Sequence, residues 1–355
     1  MSLSHLLIFT PGFPSSEEDT TCLPATQQFV LSFSKQYPGT KITVVTLHYP
    51  FTTVRYNWNG IDIIPVNGRN KAGLSRGITV LKAVKKARVV NASLQVDAVL
   101  SFWLTDAALA GKHFANKNNI PHLIWMHGQD ARPGNKYVKW VNPQPRQLAA
   151  ISQYQSNVFT HTYNKTVGSI INNGINPEIF PTLNTQKRTI DFLAAGNLIP
   201  LKQYHMYVEM LYKLKVNGHT GFKAVLAGEG ILFDHFKALR EKYNLETELE
   251  ITDKIEHPAL LQLMNNARVF VHPSSYEGHS TVMLEALYSG CKVVSFIPPA
   301  DSAVPDTIIC TDEHDMETRC NKLLQQNWTP QRILVNDIKN SVEKIYTILQ
   351  SQLTG

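Results

Sequence analysis

The sequence predicts two consecutive α/β halves, each a doubly wound parallel sheet. Three observations carry this. The chain has 355 residues, more than the about 100–200 usual for one domain. Short apolar runs, several rich in Val and Ile, alternate with longer amphipathic stretches, the rhythm of a parallel sheet with crossover helices. That alternation occurs twice, on either side of an irregular join. With 43% hydrophobic and 17% charged residues, the chain is neither disordered nor collagen-like.

In the first half, strands are expected at 5–9, 41–47, 98–103, 122–126 and 148–151, with helices at 24–37, 74–92, 106–118 and 153–161 between them. The second series places strands at 190–195, 223–227, 248–251, 269–272 and 293–296, separated by helices near 202–216, 231–243, 258–265 and 281–289. Asn173-Gly174, Pro177 and Pro181 mark the join as a turn and an irregular connection, where the chain could hinge. The predicted domains are therefore 1–175 and 185–330, with 176–184 between them and 331–355 as a terminal segment. In that segment Ile333, Ile338, Val342, Ile345 and Leu349 fall on one helical face.

Charge is divided unevenly. Residues 1–175 hold 17 Lys+Arg and 7 Asp+Glu, a balance of +10; the whole-chain totals of 34 and 28 leave 17 and 21, or −4, for the rest. Within the basic half, Arg69, Lys71, Arg76, Lys82, Lys85, Lys86 and Arg88 cluster on and before the helix at 74–92. There Val80, Leu81, Val84 and Ala87 form the expected core face. The cations face either plain solvent or an anionic membrane surface. Nucleic acid is not expected, because no aromatics interleave with the cluster. The four cysteines form no Cys-x-x-Cys pair, and the histidines show no zinc spacing. Reduced thiols and no metal are expected. No apolar stretch approaches ~18 residues and no basic leader opens the chain, so a cytoplasmic protein is expected.

The densest candidate site follows the predicted strand at 269–272. Glu277-Gly278-His279-Ser280-Thr281-Val282 leads into a helix that contains Glu285. A helix start offers unpaired N–H groups and positive dipole, so residues 279–282 can hold a phosphate, and Gly278 allows close backbone approach. Glu277 and Glu285 can face one crevice at the strands' carboxyl ends, one gripping a sugar and the other a ribose. Lys202, one loop after a predicted strand, can neutralise a departing diphosphate.

The passage from Ala267 to Val294 resembles the signature of the family 4 retaining glycosyltransferases, whose hallmark is two glutamates separated by seven residues. The resemblance continues in order along the chain. Ile171 to Pro181 looks like the family's interdomain connection, Gly196-Asn197-Leu198-Ile199-Pro200-Leu201-Lys202 like its first C-domain phosphate loop, and Gly228-Glu229-Gly230 like its mid-domain glycine turn. His127-Gly128 looks like its His-Gly segment, with Asp130 as an assisting residue, and Gly12-Phe13 like its acceptor and diphosphate loop, although many members have two glycines there. Where Asn197 stands, the family usually has arginine, so phosphate stabilisation falls more heavily on Lys202 and the helix terminus.

The resemblance implies a GT-B fold, two Rossmann-like domains facing each other across a cleft, with the final helix crossing back to the N-terminal domain. It implies a metal-independent retaining hexosyltransferase with Glu277, Lys202 and His127 as catalytic residues. Glu285, Asn197, Gly196, Gly278, His279, Ser280, Thr281 and Val282 would hold the donor. The co-substrate would be a nucleotide-sugar, UDP-hexose by preference, and the acceptor a glycan or lipid-linked glycan. A nucleotide-sugar epimerase of the same fold and a non-catalytic nucleotide-sugar or glycan-binding partner are the alternatives. Neither Asp-x-Asp nor Gly-x-Gly-x-x-Gly is present, so metal-bound diphosphate chemistry and nicotinamide binding are not supported.

Overall fold

The computed structural model describes residues 2–354, which form two compact units. One is the chain through Gly174 together with the residues from Ile338 onward; the other is Ile175–Asp337.

The first unit runs β1 (His5–Gly12), α1 (Pro24–Gln36), β2 (Lys41–Tyr49), β3 (Tyr56–Trp58), β4 (Ile61–Pro65), α2 (Leu74–Ser93), β5 (Ala98–Phe102), α3 (Asp106–Asn118), β6 (His122–Trp125), α4 (Tyr137–Val141), β7 (Leu148–Ala150), α5 (Gln153–Tyr163) and β8 (Ser169–Ile170). Its sheet order is β3-β4-β2-β1-β5-β6-β7-β8. Every pairing is parallel except β3 with β4, an antiparallel hairpin turned at Asn59-Gly60, where both residues take positive φ. β1 and β5 lie at the centre, buried along almost their whole length, which is why they read as mostly apolar runs.

The second unit runs β9 (Ile190–Ala195), α6 (Tyr204–Val216), β10 (Ala224–Ala227), α7 (Phe233–Lys242), β11 (Leu249–Thr252), α8 (His257–Asn266), β12 (Ala267–His272), α9 (Thr281–Tyr288), β13 (Lys292–Ser295), β14 (Thr307–Ile309) and α10 (Glu313–Gln325). Its strands are all parallel, in the order β11-β10-β9-β12-β13-β14. Both units are doubly wound and Rossmann-like, as the alternating pattern predicts. The chain then enters α11 (Ile338–Thr354), which packs on α1 of the first unit: Val342, Ile345 and Leu349 share a core with Phe29 and Phe33, and Tyr346 stacks on Tyr37 with ring centroids 3.7 Å apart.

Several expectations need correction. The terminal helix does not fill the 331–355 segment but starts at Ile338; Ile333 and Val335 pack instead with the core of the second unit. Within the irregular join, Ile179 and Phe180 pack on that same core and Arg332 donates to the carbonyl of Pro181. Leu81 is not on the core face of α2; Ala83 takes that role and Leu81 is exposed. The β3–β4 hairpin, β14 and α10 were not anticipated.

One buried cation holds the second unit's helices together. Arg188, 6% exposed, donates from Nη1 to the carbonyl of Ala267 (2.6 Å) and from Nη2 to that of Ser289 (2.7 Å), at the C-terminal ends of α8 and α9. Those carbonyls carry the negative ends of both helix dipoles, so the charge is met without a carboxylate. Gly290 makes room, since a Cβ there would lie 2.7 Å from the guanidinium. Arg188→Leu is expected to lower unfolding stability by about 3 kcal/mol, the loss of charge-assisted bonds plus stranded carbonyls. Urea unfolding followed by fluorescence checks this.

Candidate functional site

The strand order of the second unit leaves β9 in both directions, to β10 on one side and β12 on the other. Loops following β9 and β12 therefore diverge and leave a crevice at the carboxyl ends of the strands. Three glycines build one wall. Gly196, Gly228 and Gly230 take φ of 146°, 151° and 155°, and a Cβ on Gly228 or Gly230 would collide with the carbonyls of Gly196 or Leu198. With no side chains between them, the two loops bond directly, Gly196 N to Ala227 O (3.0 Å) and Leu198 N to Glu229 O (2.8 Å). Asn197 is exposed.

After Asn197 the backbone makes a 3-10 turn, Pro200–Lys202, and its Leu201 carbonyl accepts from the Ser275 amide at 3.1 Å. That bond sets the loop after β9 against the loop after β12. Lys202 Nζ consequently makes a short ion pair with Glu277 Oε1, and His272 Nε2, at the end of β12, bonds the same oxygen at 2.8 Å. Burial alone would push the Glu277 carboxyl up; the His272 hydrogen bond and the Lys202 charge outweigh it and hold the pKa at about 2. Burial lowers the pKa of His272, although the Glu277 bond opposes it. Glu277 is thus a fixed carboxylate at neutral pH, with one oxygen engaged by two donors.

Glu285 lies in α9, buried, and its Oε1 meets His257 Nε2 at 2.8 Å. Burial lowers the His257 pKa, but the adjacent carboxylate charge and hydrogen bond raise it overall. Each of the two glutamates is therefore met by a buried histidine. Sequence reading missed both histidines as site residues. His257 lies 28 positions from its partner and only the fold joins them; His272 was visible at a strand end five residues before Glu277. Ser280 stands at the N-cap of α9, and Thr281 and Val282 open its first turn, half-buried, where amides have no intrahelical acceptor. Gly278 and His279 are buried beside them, and burial lowers the His279 pKa to about 4, so its ring is neutral at pH 7.

The first unit holds the other predicted residues. His127 follows β6 with its ring among Phe102, Trp103 and Trp125, at centroid distances of 5.7, 4.9 and 4.6 Å. Burial lowers its pKa to about 3, and its buried Nε2 has no hydrogen-bond partner among the described residues. A neutral imidazole with an open ring nitrogen can pair with a hydroxyl but is no general acid at neutral pH. Asp130 is a bracket for the loop rather than a free group, because Oδ2 accepts from the amides of Leu104 (2.7 Å) and His127 (3.0 Å). Burial raises its pKa to about 7.

Two positions differ from the expected loop. Gly12 is the last residue of β1, and a Cβ there would make only ordinary contacts, so close backbone approach is not what requires it. Phe13 is fully buried, its ring edge-on to Trp58 at 4.9 Å, and is a core residue with no face left for a ligand. Among the described residues no group of three or more His, Cys, Asp or Glu is placed to hold a metal ion, and no helix is long and apolar enough to cross a membrane.

Residues 176–314 match the Glycosyl transferases group 1 family, the segment that contains Lys202, Glu277 and Glu285. An uncharacterized glycosyltransferase of Methanocaldococcus jannaschii is 25% identical over 228 residues; the alignment spans 62% of this chain and 62% of that protein, less than two thirds of its length. The phosphatidylinositol N-acetylglucosaminyltransferase gpi3 subunit of Schizosaccharomyces pombe is 22% identical over 345 residues, 88% of this chain and 75% of that one. Among solved structures, sucrose-phosphate synthase from Thermosynechococcus elongatus matches with a TM-score of 0.70 at 13% identity, over 99% of this chain and 94% of that one. Anabaena HepE in complex with UDP and glucose matches with 0.66 at 15%, over 98% and 97%. The fold is GT-B, two Rossmann-like domains in one chain, and the protein is related to glycosyltransferases of this fold.

Proposed function

We propose that this protein is a retaining glycosyltransferase, close in kind to family 4, that transfers a hexose from a nucleotide diphosphate donor to an acceptor hydroxyl without a metal. The observation that carries the reading is the Lys202–Glu277–His272 cluster beside the start of α9, at the switch point of the segment that matches the group 1 family. In this reading Lys202 and the amides of 279–282 take the diphosphate, Glu277 holds sugar hydroxyls and Glu285 the ribose. His127 is the third proposed catalytic residue, its neutral imidazole able to pair with a hydroxyl. Residues 1–175 take the acceptor and 185–330 the donor.

Chemically, the bond between the anomeric carbon and the diphosphate oxygen breaks as the acceptor oxygen bonds to the same face of that carbon. The acceptor's proton leaves with the diphosphate oxygen, so no enzyme base is consumed. Pairing the leaving charge with an ammonium and oriented amides lowers this barrier, because those charges need no reorganisation during the reaction. Front-face displacement is the route, since Glu277, the carboxylate beside Lys202, is tied to two cationic or hydrogen-bonding partners and is poorly disposed as a nucleophile. UDP-hexose is the favoured donor, supported by the UDP and glucose in the HepE complex. A lipid-linked or anionic glycan is the favoured acceptor, supported by the +10 balance of residues 1–175 and by the phosphatidylinositol substrate in the yeast relative's name.

A thermal-shift screen of UDP-, GDP- and ADP-sugars tests the proposal, because a ligand that binds the native state alone raises the melting temperature. A rise of several degrees with UDP-sugars is expected. No shift with any nucleotide-sugar would refute the reading, and interconversion of the donor without an acceptor would favour an epimerase instead.

A further inference from the structure

We propose that His257 is the positioning residue of a ribose subsite: it ties one oxygen of Glu285 so that the other is held toward the ribose hydroxyls of the donor. The chain then takes ribonucleoside diphosphate sugars in preference to their 2′-deoxy counterparts. This rests on the transferase reading, with Glu285 at the ribose, and adds to it the residue that acts behind Glu285 and the class of nucleotide selected. Topology supplies the first observation. α8 is the crossover from β11, at one edge of the second sheet, to β12, on the far side of β9, and it lies against β9, β12 and α9. Both α8 and α9 start just after a parallel strand, which puts both helix starts at the carboxyl ends of the strands, on the side of the crevice. Leu261 and Met264 of α8 share a core with Met283, Ala286 and Leu287 of α9, which fixes the two helices side by side. His257 is the first residue of α8, four positions before Leu261 on the same face, so it meets α9 one turn nearer the crevice.

The second observation is the bonding of the carboxylate. Glu285 and His257 are each 7% exposed, and the imidazole Nε2 lies 2.8 Å from Glu285 Oε1. A carboxylate accepts and does not donate, so Nε2 carries the proton in this contact. Oε2 has no hydrogen-bond partner among the described residues, and no lysine or arginine among them pairs with either oxygen. Glu277 is arranged differently, since one of its oxygens takes both the Lys202 ammonium and His272. Glu285 thus keeps an unused acceptor on an almost wholly buried side chain, oriented by a single contact.

An acceptor of this kind selects among the parts of a nucleoside diphosphate sugar. It repels the diphosphate and pairs with hydroxyls, and a ribose presents two of them side by side, at 2′ and 3′. Holding one oxygen on His257 keeps the other in place before the nucleotide arrives, so less ordering is left for the binding step. A 2′-deoxyribose offers one donor fewer, and a buried site built to bond a hydroxyl discriminates against the analogue that lacks it. Donors built on UDP, GDP or ADP meet the requirement, whereas deoxythymidine diphosphate sugars do not. His257 acts through Glu285, because its bonding nitrogen is spent on the carboxylate.

Calorimetric titration of the full chain with UDP, GDP and ADP, each against its 2′-deoxy form, tests the proposal. Wild type should bind the ribo form about ten- to a hundredfold more tightly, the worth of one charge-assisted hydrogen bond. His257→Leu, which fills the space and removes the donor, should bring that ratio to within about threefold of one, and His257→Gln, whose amide can donate, should restore most of it. The ratio compares two ligands on one protein sample, so a variant that is partly unfolded still reports it. In a Glu285→Ala background, His257→Leu should leave the ratio where Glu285→Ala alone puts it. Equal affinity of wild type for the ribo and 2′-deoxy forms would overturn the proposal, as would an unchanged ratio in His257→Leu or a further change by His257→Leu in the Glu285→Ala background. In each of those results nucleotide still binds and the transferase reading stands. No binding by any of the three nucleotides would overturn both.

Discussion

Glu277→Gln is expected to lower donor turnover by about two orders of magnitude while leaving UDP affinity within a few-fold of wild type. The carboxylate is ionised at every physiological pH and half-buried, so a sugar hydroxyl that reaches its free oxygen makes a charge-assisted bond in a water-poor crevice. Such a bond is worth up to about 3 kcal/mol, or about a hundredfold in rate if it strengthens as positive charge develops on the sugar. Gln keeps the shape and can still accept from Lys202 or His272, which separates lost charge from lost packing. UDP lacks the sugar, which is why its affinity should hardly change. Steady-state kinetics with the UDP-sugar identified by the melting screen, alongside calorimetric titration of UDP, provides both readings; unchanged turnover would remove Glu277 from the reaction.

Lys202→Met is expected to cost about 100–1,000-fold in turnover and, unlike the glutamate change, to weaken UDP binding as well. The ammonium meets charge that is present in the bound diphosphate and grows as it leaves, and Asn197 in the same loop brings no cation to replace it. A second effect follows from the ion pair. Glu277 has its pKa depressed from 4.5 to about 2, so its contribution to stability is present above about pH 4.5 and is lost as pH falls toward 2. Removing Lys202 leaves burial opposed only by His272, so the carboxyl pKa should rise and the acid loss of stability should begin at higher pH. Melting temperature measured from pH 7 to pH 3 in wild type and variant checks the direction. Identical acid profiles would mean that the ion pair is not maintained in solution.

Much of the architecture was legible because central parallel strands are apolar on both faces. β1, β5, β9 and β12 read as mostly apolar runs, and α3 takes the expected bounds, 106–118, with Thr105 capping its start and Asn119 in the left-handed region after its end. Elements at the sheet edges and surface were harder. α10 buries only Met316, Cys320 and Leu323, and β14 is three residues long, so neither makes a strong period. Leu81 illustrates the limit of a helical wheel: Val80, Leu81 and Val84 look like one apolar side, yet small Ala83 and Ala87 let α2 sit closer to the sheet on a face rotated away from Leu81.

The candidate site was legible as a set of residues but not as a set of contacts. Seven residues between Glu277 and Glu285 suggested one crevice, whereas the fold gives each carboxylate its own histidine, His272 and His257. Phe13 was misplaced for a simple reason. The resemblance put Gly12-Phe13 in a ligand loop, but β1 continues through Gly12 and the Phe13 ring is buried against Trp58.

A crystal structure of the full chain with UDP bound is the most direct measurement of the central claim. The account predicts the diphosphate against the amides at the start of α9 and within reach of Lys202, with the ribose at Glu285. UDP bound in the first unit alone, or a diphosphate remote from both Lys202 and residues 279–282, would contradict it.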